Sequence, residues 1–99
     1  MATTFAFDAA VWEYDGPGAW HFISLPREYA DEIDQLTAES TTAFGSVRVE
    51  VSIGTTRWST SLFPDSRRGT YVLPVKKSVR AAENLVEGSI ARVEVRLAG

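Results

Sequence analysis

The sequence predicts a mainly β fold, a small six-stranded split or closed β-barrel that two short helices cap. Most apolar residues alternate with polar ones, which is typical of strands with one buried face. A doubly wound parallel sheet would instead show near-continuous apolar runs. Only two segments have helical spacing, and a barrel lets the strands hide their edges. The pattern gives the order β-β-α-β-β-β-α-β, in one domain that spans residues 1–99, with no internal repeat of fixed period.

Residues 3–24 predict a hairpin. Apolar side chains occupy every second position of its first strand: Phe5, Phe7, Ala9 and Val11. The large residues Trp12 and Tyr14 then reverse this phase, which indicates a bulge or a change of face. The segment YDGPG contains two strong turn-forming pairs. The returning strand, AWHFIS, places Trp20 and His21 on opposite faces.

The segment SLPREYADEIDQLTA predicts the first helix. Ser24 is a suitable N-cap, and Pro26 is tolerated in the first turn, where its missing N–H costs nothing. A buried stripe follows the i, i+4, i+7 spacing: Tyr29, Ile33 and Leu36. The acidic residues of this helix lie off that stripe: Glu28, Asp31, Glu32 and Asp34.

The clearest β signal is FGSVRVEVSIGTTRWSTSLFP, which predicts a second hairpin. The apolar positions of its first strand share one face: Val47, Val49, Val51 and Ile53. The segment IGTTRW has the length and the glycine of a hairpin connection. The returning strand places Trp58 with Leu62 on one face and Arg57 on the other. The segment PDSRRG then predicts a loop, because it is rich in turn residues.

The segment TYVLPV predicts a short strand, which Pro74 ends or confines to a sheet edge. A second helix is expected from about Val75 to Leu85, and Asn84 and Gly88 near its end are stop signals. Its buried face has three members: Val75, Val79 and Ala82. The segment SIARVEVRLA is the last strand, with four residues facing inward: Ala91, Val93, Val95 and Leu97.

The composition is that of an ordinary globular domain, with 44% hydrophobic and 23% charged residues. The absence of cysteine excludes disulfides and thiol chemistry. Because His21 is the only histidine, a structural zinc site is excluded as well. Neither a signal peptide nor an apolar stretch of membrane length is recognisable. We therefore expect a soluble, cytoplasmic protein with no metal, no cofactor and no membrane partner.

Charge is distributed unevenly along the chain. Up to Ala43, eight acidic residues stand against one base, Arg27, whereas from Phe44 onward nine bases stand against five acids. Such asymmetry is one mark of an anionic partner. The simpler interpretation is that the two halves lie side by side and neutralise each other, because net charge alone concerns solubility and encounter rather than a site.

A basic run between Arg57 and Arg80 suggests a binding surface. Its members are Arg57, Arg67, Arg68, Lys76, Lys77 and Arg80. Lys76 and Arg80 are i, i+4 neighbours on the predicted helix and should project together. One hypothesis is that they and Lys77 hold an anion together with free helix N–H groups. The alternative is that the acidic first helix packs nearby and pairs with these cations, at little gain in stability.

Aromatic residues give a second signal. Most should lie in the core, because aromatic side chains dominate the cores of small domains. At least one tryptophan is expected at a barrel mouth, and Trp58 beside Arg57 is the main candidate for ligand contact. Trp20, His21, Arg67 and Arg68 are weaker candidates. His21 could also act as a catalytic base with a carboxylate, although no partner is apparent in the sequence.

Three stretches resemble the domain-of-unknown-function family numbered 1905: GAWHFISLP, FGSVRVEVSIGTTRWSTSLFPD and YVLPVKKSVRAAENLVEG. The resemblance covers nearly the whole chain. It implies a small split β-barrel with two helical caps, an architecture related to the barrel of transition-state regulators and antitoxins that bind DNA as swapped dimers. It carries no established activity or catalytic residue, and fold alone does not fix function.

Three functions follow as expectations. The first is a non-enzymatic binding module that holds an anionic small molecule or a protein partner near Arg57, Trp58, Lys76, Lys77 and Arg80. The second is a DNA-binding, antitoxin-like dimer, which the acidic pI of about 5.0 disfavours. The third, ranked last, is an enzyme that uses His21 with a carboxylate.

Overall fold

The computed structural model describes residues 3–38 and 45–98, which form six strands and two helices in the predicted order. The elements are β1 (Thr4–Glu13), β2 (His21–Ser24), α1 (Arg27–Thr37), β3 (Val47–Ile53), β4 (Thr56–Asp65), β5 (Thr70–Pro74), α2 (Lys77–Glu83) and β6 (Ile90–Leu97). All neighbouring strands pair antiparallel, and together they close a barrel in the order β1-β2-β5-β4-β3-β6. The predicted fold class is therefore confirmed.

Two long strands join the two sheets of the barrel. Strand β1 pairs with β6 along residues 4–10 and then with β2 along residues 11–13. Strand β4 does the same, pairing first with β3 along residues 56–62 and then with β5 along residues 63–65. Each long strand therefore leaves part of one edge without a strand partner, and these two places are the splits of the barrel.

The chain repeats one connectivity, β-β-α-β, although the sequence shows no repeat of fixed period. Strands β1 and β4 are the long strands of the two halves, and β2 and β5 are the short ones. Each short strand gives way to its helix at a Leu-Pro step, Leu25-Pro26 in the first half and Leu73-Pro74 in the second. The two splits are thus built from equivalent parts of the two halves.

The core combines the strand residues that alternation places inward with buried residues of the helices, such as Ile33 of α1. It includes Phe5, Phe7, Val11, Ile23, Ile33, Val49, Val51, Leu62, Leu73, Val93 and Val95. The prediction that the alternation changes phase after Val11 is wrong. Trp12 continues the regular alternation on the outer face, where its ring lies 5.1 Å from that of Phe22 and its indole N–H donates to Ser24 Oγ at 2.9 Å. The large outer residue belongs to a second, external cluster and needs no bulge.

Helix α1 is shorter than the sequence suggested. It begins at Arg27 with Pro26 in the N-cap position, so Ser24 is not the cap but the last residue of β2. Its buried residues are Ala30, Ile33 and Thr37, with Tyr29 packed against the core. Leu36, expected on the buried stripe, is exposed, because the helix lies on the barrel through the adjacent Ala30–Ile33 face.

Helix α2 is shorter too, with seven residues instead of the expected eleven or so. Val75 and Val79 are buried as predicted, but Ala82 is exposed. Asn84 ends the helix in the left-handed conformation, with φ of 55°, which asparagine tolerates better than most residues.

The two β4 boundaries also differ from expectation. A tight turn of Gly54 and Thr55 connects β3 to β4, and the positive φ of Gly54 suits it. At the other end, Pro64 and Asp65 extend the strand instead of belonging to the loop. No helix in the described part of the chain is long and apolar enough to cross a membrane.

Candidate functional site

The second split, between the unpaired edge of β4 and the end of β5, begins at Pro74. The amide of Val75 donates to His21 O at 2.9 Å, so odd residues of β5 bond to β2, and even ones, such as Val72 and Pro74, face β4. Pairing between β4 and β5 stops at Phe63 and Val72. In this register the next bonded pair would be Ser61 with Pro74, and proline has no N–H to donate. Pro74 therefore ends the strand, as predicted, and it opens the sheet there.

The same register determines which backbone groups the split leaves open. Ala98 N donates to Arg48 O, so even residues of β3 bond to β6 and odd ones to β4. The β4 partners of Val51 and Val49 are Trp58 and Thr60. The intervening backbone groups of Arg57, Ser59 and Ser61 point away from β3, toward the split, and in the described part of the chain no strand pairs with them. We call residues 57–61 the open edge of β4.

A recess of about 110 Å³ lies beside the open edge, and we call it the split recess. Its lining includes Trp20, His21, Trp58, Ser59, Pro74 and Lys76. Trp20 is 58% exposed, whereas Trp58 is half-buried and packs against the core. Among the described residues of the lining there is no Asp or Glu. The recess is therefore aromatic, with Lys76 as its formal charge.

His21 is held by the backbone. Its Nδ1 lies 2.9 Å from the carbonyl oxygen of Ala19, and because a carbonyl only accepts, Nδ1 carries the proton. Ala19 itself adopts a positive φ of 52°. The Nε2 atom is the ring nitrogen left for another partner. Glu13 lies directly opposite His21 in the β1–β2 ladder, but the two form no described ion pair, and the described lining of the recess contains no carboxylate.

A larger groove of about 390 Å³ adjoins the recess on the outer face of the barrel. It is lined by Thr4, Glu50, Arg57, Ser59, Glu94 and Arg96, among others. Trp58 and Ser59 line both spaces. Two of the charges form an ion pair, Arg96 with Glu50, and the acidic and basic residues of the lining balance. The groove is thus polar without being basic.

The structure separates the members of the basic run. Lys76 lines the split recess and Arg57 the adjoining groove, and both are exposed to solvent. Lys77 is exposed, and Arg80 turns its Nε back to donate to Val75 O at 3.2 Å. The described residues include no ion pair between α1 and these cations, so the acidic first helix does not account for them.

Arg68 belongs to a different surface, the external cluster around Trp12. Its guanidinium carbon lies 3.9 Å from the centre of the Trp12 ring, and its Nη1 pairs with Asp65 Oδ2 at 2.8 Å. Burial raises the pKa of Asp65, but the hydrogen bonds and charge of Arg68 outweigh it and hold the pKa below its usual value. Arg67 donates only its backbone N–H to this carboxylate. Neither arginine lines the split recess.

The first split lies at the unpaired edge of β1. Unlike the second split, it is filled by a side chain. Leu97 N donates to Thr3 O, so odd residues of β1 bond to β6 and the carbonyl of Ala6 points into the split. The Tyr29 hydroxyl of α1 lies 3.5 Å from that carbonyl, and its ring packs 5.2 Å from that of Phe5. The second split has no such plug among the described residues, which leaves its edge and recess open.

Sequence reasoning identified Trp20, His21, Trp58 and Lys76 but not their neighbours on the open edge. Ser59 and Ser61 act through backbone groups, which side-chain motifs do not reveal. The available signal was Pro74 itself, since a proline at a bonded position requires an unpaired partner on the adjacent strand.

No curated protein matches the chain. The model of the family described as Domain of unknown function (DUF1905) matches residues 7–95, which include most of β1, all of β4, both Leu-Pro steps and the split recess. As its sequence motifs indicated, the chain belongs to the DUF1905 family.

Proposed function

We propose that this protein is a non-enzymatic binding module whose ligand-binding site is the split recess, and that its ligand is an anion with a flat apolar group. The observation that carries the proposal is the convergence of Trp20, Trp58 and Lys76 on a recess whose described lining holds no acid, beside an open strand edge. The equivalent split of the other half is filled by Tyr29, so the opening is not a general consequence of the fold.

The chemistry of these groups suits such a ligand. The rings of Trp20 and Trp58 offer apolar, polarisable faces, and the ammonium of Lys76 supplies a charge that no described ion pair neutralises. The half-buried position of Trp58 lowers the local dielectric, which strengthens a charge interaction at the rim. The adjoining groove is of the size that ligand sites commonly have.

The two other functions receive less support. An enzyme that uses His21 with a carboxylate needs the two groups in contact, and Glu13, which lies opposite His21 in the β1–β2 ladder, forms no described ion pair with it and does not line the recess. Duplex DNA needs a continuous basic face. On the outer surface of the β1-β6-β3 sheet, Arg92 pairs with Asp8 and Arg96 with Glu50, so positive charge there is interrupted by acid.

The test uses benzoate as an anionic aromatic probe and benzamide as its neutral counterpart. We expect benzoate to shift the NMR signals of the Trp20 and Trp58 indoles and of the Lys76 amide in a saturable way. Benzamide should bind more weakly, because it lacks the charge that Lys76 meets. Shifts confined to Trp12, or the same affinity for both probes, would contradict the proposal.

Adjacent lysines provide a matched pair of variants. Lys76→Gln should weaken benzoate binding about tenfold, the effect of losing roughly 1.4 kcal/mol from one charged contact. Lys77→Gln, which removes the same charge one residue further on and outside the recess, should leave the affinity within about twofold. Equal effects of the two substitutions would indicate general electrostatic attraction instead of a site.

A further inference from the structure

We infer that the open edge of β4 binds an extended acidic peptide, which adds to the sheet as a strand in the second split. The inference rests on the proposed function, because it names the class of partner that the split recess and the edge take together. Strand addition is an established mode of peptide recognition, in which backbone bonds give affinity and alternate side chains give specificity.

The open edge offers the backbone groups that this mode requires. Ser59 and Ser61 each direct an N–H and a carbonyl toward the split, in register with the β4–β5 ladder that ends at Phe63. An added strand would continue that ladder where Pro74 interrupts it. Unpaired edge groups of this kind are templates for another chain, and Ser59 is exposed to solvent.

The two faces of β4 specify the side chains of the added strand. Along a strand, successive side chains alternate between faces. Those on the inner side would meet Trp58 and the recess, where Trp20 and Pro74 favour apolar groups. Those on the outer side would lie beside Arg57. The matching peptide therefore alternates apolar and acidic residues.

Charge also distinguishes this partner from a second copy of the chain. If two open edges paired with each other, Arg57 and Lys76 of both copies would be brought to one interface, and like charges there are destabilising. Cations along an exposed edge are a common guard against self-association. The same cations attract an acidic strand. In the groove Glu50 is engaged by Arg96, so Glu94 is left to oppose Arg57, and Lys76 gives the edge its surplus of positive charge.

The experiment follows amide hydrogen exchange by NMR while a peptide pool is added to the intact protein. The pool consists of acetylated, amidated hexapeptides with Glu or Asp at alternate positions and Val, Leu, Phe or Tyr between them. At ten times the Kd, the amides of Ser59 and Ser61 should exchange about tenfold more slowly. A pool with Lys in place of the acids should leave their exchange unchanged.

Two variants at one position separate backbone pairing from side-chain contact. Ser61→Pro removes a donor on the open edge at a residue outside the lining of the split recess, and it leaves the β3 ladder intact, since Thr60 and Leu62 make those bonds. It should weaken peptide binding about tenfold while benzoate still binds, which also shows that the variant is folded. Ser61→Ala keeps the donor and should bind the peptide like the wild type.

Each remaining outcome is decisive. If benzoate binds at the recess but the acidic pool leaves Ser59 and Ser61 unprotected, the peptide inference fails and the proposed function stands. If neither ligand binds, both fail. If Ser59 and Ser61 become protected without peptide as the protein concentration rises, the edge binds a second copy of the chain and the peptide inference is wrong. If the acidic and the lysine pools protect these amides equally, charge does not select the peptide.

Discussion

At the scale of single residues, the fold gives different surroundings to residues that look alike in the sequence. Lys76 and Lys77 are adjacent, yet only Lys76 lines the split recess. Trp12 and Trp58 are both half-buried, but Trp12 lies under Arg68 on the outside of the barrel and Trp58 packs against the core. Local geometry, more than residue type, decides which of them can meet a ligand.

Tyr71 offers a residue-scale prediction about pH. Its hydroxyl donates to Asp34 Oδ1 at 2.6 Å. Burial, and then the Asp34 carboxylate, raise its pKa from the ordinary value of 10.0 to about 12. Because the folded protein holds this proton more tightly than the unfolded chain does, the contribution to stability is full below pH 10.0 and is lost as the pH rises through about 12.

We therefore expect urea unfolding to show the wild type about 1 kcal/mol more stable than Tyr71→Phe near neutral pH. This advantage should shrink between pH 10.0 and about 12. Because lysines and the other tyrosines titrate in both proteins, their effects cancel in the difference between the two free energies of unfolding. A difference that stays constant across that range would show that the Tyr71–Asp34 bond is not formed in solution.

At the scale of elements, the strand-to-helix steps determine where the barrel opens. Both short strands end near a proline, but the helices that follow differ in length, eleven residues in α1 and seven in α2. Helix α1 brings Tyr29 to the edge of β1. Helix α2 is fixed near the β3–β4 turn instead, where Thr56 Oγ1 donates to Glu83 Oε2 at 2.6 Å, and it leaves the open edge uncovered.

Replacing Pro74 tests this explanation at the element scale. Pro74→Val restores an N–H that faces Ser61 and gives β5 a residue with strong β propensity. We expect β4–β5 pairing to extend to Ser61, with slower amide exchange at residues 61 and 74 and weaker benzoate binding. Val72→Ile, a change of similar size two residues away, serves as the control. Unchanged exchange at Ser61 would mean that Pro74 does not hold the split open.

Much of the fold follows from the sequence because period-two alternation is a strong signal. The strands from Val47 to Leu62 were predicted with their faces. The helix ends were not, since Ser24 looks like an N-cap in sequence but pairs with Val72 of β5 as the last residue of β2. The site was predicted only in part. Trp20 and Lys76 come together through β2–β5 pairing, and no local pattern carries that information.

At the scale of the whole molecule, the repeated β-β-α-β connectivity explains the shape of the barrel and its asymmetry. Two equivalent halves close one core, and each leaves a split at the end of its short strand. One split contributes to stability through Tyr29, and we propose that the other contributes to function. The uneven charge of the chain is not resolved by pairing α1 with the basic run, since the described ion pairs lie within sheets or loops.

The most direct test of the open edge is amide hydrogen exchange along β4 of the free protein. We expect an alternating pattern. Trp58 and Thr60, bonded to β3, should exchange orders of magnitude more slowly than Ser59 and Ser61, which face the split. If instead Ser59 and Ser61 are protected as strongly as Trp58 and Thr60, the edge of β4 is paired along its whole length, and the second split is not a binding site.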